Sequence, residues 1–404
     1  MRISTAEITS QAILAIDNQS SALQTTQNEV STGLAVQNAA DNPVAASQIV
    51  QLEQQQSQLT QYGSNLQSAQ TRLSLEESSL STATTTLQSI RDLAVQAGDA
   101  TLNDSDRQQI ATQIQTQIQA LLGTANTQDS NGEYLFAGYA TQTQPFLSDS
   151  AGNVSYQGDS GNRLIQVSAN QSVADSDTGA TAFMNIAAGN GTFTTAANAA
   201  NTGTGSIDSG SVLDSAQWVP DNYTLTFTSP TNYQITDNTT GTTVVANGTY
   251  SPGTAIQFNG VEVTVSGAPA AGDSFNVAPS GNHSMFATLT QLSTALSQPA
   301  DTAASKAQLA SSLASALTNI DQDVSHLSTV SASVGARLNM LTAQATTNTA
   351  TSTTLTSQQS NLQDVDYASA VSTLNEQMVG LQAAEQSYAA VAQLSLFKYL
   401  SFQS

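Results

Sequence analysis

Residues 51–90 read QLEQQQSQLTQYGSNLQSAQTRLSLEESSLSTATTTLQSI, in which Leu52, Leu59, Leu66, Leu73, Leu80 and Leu87 recur at every seventh position with no Pro between them. One apolar residue per seven keeps a narrow stripe of an α-helix turned toward a partner helix. The same grid returns near the other end as Leu313, Ile320, Leu327, Val334, Leu341, Leu355 and Leu362, with Asn348 its polar member. Two matched registers on either side of a Gly- and Pro-rich middle predict that the ends of the chain pack together as a rod. The middle is then an insertion. Six leucines cannot alone offset the entropy of ordering so long a helix, so a partner helix, a third helix or neighbouring copies must contribute.

Composition narrows the function. Of 404 residues only 9% are charged, yet 30 are acidic and 8 basic, a net charge of −22. Nucleic-acid affinity rests on Lys and Arg neutralising phosphates, and eight scattered cations form no stripe; anionic membrane surfaces are disfavoured for the same reason. Cysteine is absent, which excludes disulfides, thiolate metal sites and Cys nucleophiles. The N-terminus, Met1-Arg2-Ile3-Ser4-Thr5, has no apolar run beyond Ala12 to Ile16, so no cleavable Sec signal is expected. No apolar stretch approaches about 18 residues, and no membrane insertion is expected.

Taken in order, residues 1 to about 34 carry a weaker register: Ile13, Ile16, Ser20, Leu23, Gln27, Val30 and Leu34. Gly33 and Ala39-Ala40-Asp41-Asn42-Pro43 predict a corner. A long helix from about Val44 to Ala97 is expected to end at Gly98 in a left-handed cap. Ser105 and Gln108 read as a capping box opening a third helix, with Ile110, Ile114, Ile118, Leu121 and Leu122 on one face and a close at Gly123.

Most of the 24 Gly and 8 Pro fall in the middle third. Alternation replaces heptads there: Tyr223, Leu225 and Phe227 share one face, as do Val261, Val263 and Val265, and Asn259-Gly260 predicts a type I′ hairpin. Residues 215–278 are expected to form an antiparallel β domain, with 180–212 as loop and short strands. Helix resumes near Ser284, with corners at Pro299-Ala300-Asp301 and Asp364-Val365-Asp366. Beyond the second corner a new register runs Val371, Leu374, Met378, Leu381, Tyr388, Val391, Leu394. Nothing inside the chain is expected to cover the apolar stripes of the two outer helices. The expected fold class is α+β: long terminal helices paired as a coiled-coil-like rod, with an inserted antiparallel β domain. The three parts are 1–43 with 364–404, terminal helices; 44–144 with 284–363, rod; and 145–283, β insert.

Catalytic chemistry finds no support, and no cofactor or metal is expected. The two histidines, His283 and His326, lack ligand spacing, and neither a phosphate loop nor a nucleophile elbow is present. His283 reads as a solvated linker residue and His326 as a helix-surface or packing residue. Asp129-Ser130-Asn131-Gly132-Glu133 and Asp175-Ser176-Asp177 read as solvated turns.

Val30-Ser31-Thr32-Gly33, continuing to Asn42-Pro43, resembles the N-terminal signature of bacterial flagellins, and Ile90-Arg91-Asp92-Leu93-Ala94 resembles their rod segment. Asn131-Gly132-Glu133-Tyr134-Leu135-Phe136-Ala137-Gly138, Gln363-Asp364-Val365-Asp366-Tyr367-Ala368 and Leu394 to Leu400 resemble the hook-filament junction proteins of the same superfamily. The resemblance implies a structural flagellar component, exported without signal cleavage by the flagellar type III apparatus. Its implied partners are its own copies in a ring, the hook-side junction protein (hook-associated protein 1), flagellin and a flagellar export chaperone. Assembly would then run through Ile13, Ile16, Leu23, Val30, Leu374, Met378, Leu381, Tyr388, Val391, Leu394 and Phe397. The rod seam would be Leu52, Leu59, Leu66, Leu73, Leu80, Leu87, Leu327, Val334, Leu341 and Leu355. A filament-forming flagellin, or an adhesin acting through the β domain, are the alternatives.

Overall fold

The computed structural model describes the backbone of residues 5–400 apart from Ala151, and side chains from residue 7 to 390 with the same exception. Two compact units emerge, Met1–Ser64 with Ala345–Ser404, and Asn65–Gln344. The division runs through two long helices, α2 (Pro43–Ala97) and α5 (Ala303–Gln363), each of which contributes to both units.

In the first unit α1 (Thr5–Thr32) and α6 (Tyr367–Leu400) join the first part of α2 and the last part of α5. Pro43 stands as the first residue of α2, where a missing N–H costs nothing, and Asn42 Oδ1 accepts the Ala45 N–H at 3.0 Å. Leu52, Leu59 and Leu362 are half-buried, while Leu355 and Asn348 are buried. The Gln56 amide donates to Ser352 Oγ at 2.5 Å, tying α2 to α5.

In the second unit Leu66, Leu73, Leu80 and Leu87 of α2 and Leu313, Ile320, Leu327, Val334 and Leu341 of α5 are buried, as the heptad grid requires. With them lie α3 (Asp104–Ala125) and α4 (Met285–Ser297), bonded where Ser293 Oγ donates to the Ala111 carbonyl. Local punctuation departs from expectation in three places. The cap of α3 is Asn103, whose Oδ1 accepts the Asp106 N–H while Asp106 Oδ2 accepts the Asn103 N–H; Ser105 lies inside the helix. An Asn two residues upstream with Asp at the reciprocal position outcompetes Ser. Gly98 ends α2 without a positive φ, because its N–H is shared between the Ala94 and Val95 carbonyls in a tightening last turn. Gly123 is helical, and α3 runs on to Ala125. Asn126 stops it, its side chain pairing with Phe146 as a strand would: Nδ2 to the Phe146 carbonyl and Phe146 N–H to Oδ1, both 2.9 Å.

Among the described residues fifteen short strands follow in the middle. Two hairpins come first, β1 (Phe146–Ser148) with β2 (Val154–Tyr156) and β3 (Leu164–Ser168) with β4 (Gln171–Ala174). A π-helical turn, Ala180–Met184, then brings Phe183 against Phe136, Phe146 and the Phe286 of α4, with ring centroids 5.1–6.2 Å apart. β5 (Ile186–Ala187) pairs with β15 (Asn282–His283) as a two-stranded neck. Between those two strands the chain builds β6 (Phe193–Ala197), β7 (Ser206–Ile207), β8 (Ser211–Val212), β9 (Tyr223–Ser229), β10 (Asn232–Asp237), β11 (Thr242–Thr249), β12 (Ala255–Phe258), β13 (Val261–Ser266) and β14 (Ser274–Pro279). One antiparallel sheet has the order β11-β10-β9-β14-β6; β13 pairs with β12, β7 and β8. Thus residues 193–212, within the stretch expected as loop and short strands, supply β6, β7 and β8. The core between the sheets is Phe193, Tyr223, Leu225, Phe227, Val261, Val263, Val265, Phe275 and Val277. Asn259 (φ 43°) and Gly260 (φ 77°) form the turn of the β12–β13 hairpin, the conformation a type I′ turn demands.

Candidate assembly interface

The corners at the two ends of the first unit meet. The Gly33 carbonyl accepts the Val365 N–H at 2.9 Å, the Gln363 carbonyl accepts the Ala35 N–H at 2.7 Å, and Leu34 and Asp364 form an antiparallel bridge. Asp41 Oδ2 ties down the Gln37 and Asn38 N–H groups, and Asp366 Oδ1 caps α6 through the Ala368 and Ser369 N–H groups. Gly33 has φ +78° and lies under the Tyr367 hydroxyl, which an added Cβ would approach to 2.9 Å. The motif residues at both corners therefore serve one joint.

From this joint α1 and α6 pack on each other. On α1 the covered stripe is Thr9, Ala12, Ile16, Gln19, Leu23, Thr26 and Val30; on α6 it is Ala370, Leu374, Gln377, Leu381, Ala384 and Tyr388. Gln19 donates its amide to the Gln377 carbonyl at 3.3 Å, opposite Gly380, where an added Cβ would sit 3.1 Å from that amide. The sequence-derived assembly residues divide accordingly. Ile16, Leu23, Val30, Leu374, Leu381 and Tyr388 are half-buried in the seam between the helices, whereas Ile13 (44% exposed) and Met378 (38%) point away from it. The expectation that nothing inside the chain covers the terminal helices is thus corrected: each covers one stripe of the other. Val391, Leu394 and Phe397 lie outside the residues whose side chains are described.

Apolar side chains outside the seam remain open. Ile8, Ile13 and Leu14 on α1 and Val371, Met378 and Val379 on α6 are exposed, Leu14 to 60% and Val379 to 66%. Ile8, Leu14 and Val379 escaped the sequence reading, which followed one register per helix. The signal was present in the polar residues: with Thr9, Gln19 and Thr26 in the inner stripe of α1, apolar residues outside that register are left to face away from α6.

The Asp175-Ser176-Asp177 turn is not solvated, and in the other acidic turn Ser130, Asn131 and Gly132 are exposed while the carboxylates turn inward. Asp175 is fully buried and bonded to Arg163, and Arg72, also buried, pairs with Asp129 and, at 3.1 Å, with Asp175. Arg337 of α5 pairs with Asp177. Three of the few cations in the chain are thus spent inside the second unit, on the carboxylates that read as loop. Beside them Glu76 is fully buried, its Oε1 accepting the Asp177 N–H at 3.0 Å; burial, with the negative Asp177 nearby, pushes its carboxyl up to about 8. His283 is likewise no solvated linker residue, being bonded through Nε2 to the buried Asp323 of α5 at 2.9 Å. Among the described residues no helix is long and apolar enough to cross a membrane, and no group of three His, Cys, Asp or Glu is placed to hold a metal.

Helices from the two ends of the chain that pack on each other, with a β domain inserted between them in sequence, define the class, a flagellin-like structural protein. Residues 3–141 match the bacterial flagellin N-terminal helical region, residues 317–400 the C-terminal helical region, and residues 196–279 the D2-like domain of flagellar hook-associated protein 1. A crystal structure of flagellar hook-associated protein 3 from Legionella pneumophila is 35% identical, covers 78% of this chain and 98% of its own, and superposes with a TM-score of 0.75. A structure of the flagellar junction protein from the same organism is 36% identical, with 73% and 99% covered and a TM-score of 0.68. Flagellar hook-associated protein 3 of Salmonella typhimurium is 39% identical over 186 residues, 46% of this chain and 58% of that protein. The chain thus matches little more than half the length of that curated relative. It belongs to the flagellar hook-associated protein 3 family.

Proposed function

We propose that this chain is the subunit that joins hook to filament, assembling as a ring through α1 and α6 between hook-associated protein 1 and flagellin. The observation that carries this reading is the large apolar side chains left exposed on both helices outside their seam, Ile13, Leu14, Met378 and Val379 among them. Exposed apolar side chains gathered on two helices of a protein of net charge −22 mark an interface, and other copies of the same helices supply the partner. A seam interrupted by Gln and Thr holds the helices weakly in the monomer, which suits export as an unfolded chain through the flagellar type III apparatus, escorted by an export chaperone and without signal cleavage. The rod seam would then bear the lateral contacts, and the β domain would face solvent outside the cell.

Immunogold labelling of flagellated cells locates the protein: a band between hook and filament supports the reading, and label along the filament overturns it. Purified protein that grows into long filaments by itself would favour a filament-forming flagellin instead. To separate an adhesin, residues 189–280 are removed by joining Ala188 to Gly281, which are bonded across the neck at 2.9 Å. Retained motility with lost binding would place adhesion in the β domain.

A further inference from the structure

We propose, on the reading of α1 and α6 just given, that charge restrains assembly: copies meeting through these helices repel one another until dissolved salt screens their carboxylates. From Ile3 to Thr71 and from Leu338 to Phe397 the chain has no Lys, Arg or His. The first stretch nevertheless carries Glu7, Asp17, Glu29, Asp41 and Glu53, and the second Asp364, Asp366, Glu376 and Glu385. Together the two stretches hold all of α1 and α6 as far as Phe397.

Three of these carboxylates stand beside the open apolar side chains. Asp17, Glu376 and Glu385 are exposed, as are Ile13, Leu14, Met378 and Val379. Asp17 lies three residues from Leu14 and four from Ile13, Glu376 lies three from Val379, and Glu385 lies seven from Met378. Such spacings put each pair on one side of its helix. A second copy seated on Leu14 or Val379 therefore brings carboxylates toward carboxylates, since both partners present the same residues. Like charges drawn together and partly stripped of water oppose the contact.

Other parts of a neighbouring copy have little counter-charge to offer. Arg72 and Arg163 are bonded to Asp175, Arg107 to Asp104, Arg337 to Asp177 and Arg91 to Asp321. Among the described side chains Lys306 is the one Lys or Arg outside every ion pair; Arg2 and Lys398 lie outside those side chains. Screening is left to ions in solution, which let charges act over about 30 Å at 0.01 M but only about 8 Å at 0.15 M. An uncharged apolar contact would show little of that dependence.

Sedimentation velocity of the full chain in NaCl from about 0.02 to about 0.5 M reads the association constant, which should rise roughly tenfold or more across the series. The triple change Asp17→Asn, Glu376→Gln, Glu385→Gln should associate at the lowest salt as the parent does at the highest, with little further rise. A control, Asp92→Asn, Glu262→Gln, Asp301→Asn, removes as many charges from the second unit and should keep the parent's salt dependence. Adding the uncharged changes Leu14→Ser and Val379→Ser to the first triple variant should remove its association. Should association persist there, assembly through these helices is the reading that fails, and the restraint falls with it. A parent constant that stays flat or falls with salt overturns the proposal while leaving that reading intact. So does a salt-driven rise as steep in the first triple variant as in the parent, which would be general salting-out, or a control variant that associates as well as the first.

Discussion

Replacing Glu76 by Gln keeps the volume of the side chain and its acceptor for the Asp177 N–H but removes the proton. Folding raises the carboxyl from 4.5 to about 8, so between those values the native state holds a proton that the unfolded chain has released. Stability must then fall as pH rises through that window, by up to about 1.4 kcal/mol per unit, or roughly 5 kcal/mol in all. The favourable charge of Arg337 works against this loss, and burial together with Asp177 outweighs it. Urea unfolding followed by circular dichroism at half-unit steps from about pH 4.5 to 9 gives the curve for both proteins. Their difference isolates Glu76, since every other titrating group is common to the pair. Glu76→Gln should match the parent near pH 5 and exceed it by several kcal/mol at about pH 8.5. A difference that stays constant across the range refutes the buried protonated carboxyl.

Leu14→Asp and Val379→Asp, exposed outside the seam, should leave monomer stability within about 0.5 kcal/mol yet abolish assembly and swimming, as read by sedimentation and motility plates. Leu23→Asp or Leu381→Asp, within the seam, should melt α1 and α6 by amide exchange and also stop assembly, while Trp218 emission keeps its native position. Gly260→Ala forces a Cβ against the Asp214 carbonyl at φ +77° and should cost the β domain about 1–3 kcal/mol in urea unfolding. Asn103→Ala removes the side-chain acceptor of the α3 capping box and should cost about 1 kcal/mol by the same measure.

The helices were legible because a seven-residue repeat survives any neighbour: Leu66 to Leu87 and Leu313 to Leu341 are buried at the positions the count assigned. Alternation served the β domain equally well wherever strands were long enough to show it, as in Tyr223-Leu225-Phe227. Short strands were expected among the loops of 180–212, but alternation could not place β6, β7 and β8 individually, since their two to five residues are strands only because β13 and β14 lie alongside. Which side of each terminal helix stays open was only half legible, since Ile13 and Met378 face outward while Leu23 and Leu381 face inward and no single-helix register distinguishes them. The buried charges were misread for a related reason. Asp129, Asp175 and Asp177 sit in turn-like sequence, and the arginines that pull them inside, Arg72, Arg163 and Arg337, are remote along the chain.

The joint between Gly33 and Val365 bears on synthesis. Gly33 leaves the ribosome long before Gln363 and Val365 exist to receive the loop after α1. Helix α1 therefore waits, without α6, while α2 to α5 and the whole β insert are made. A truncation upstream of Gln363 would undo the opposite extremity of the molecule as surely as cutting there directly.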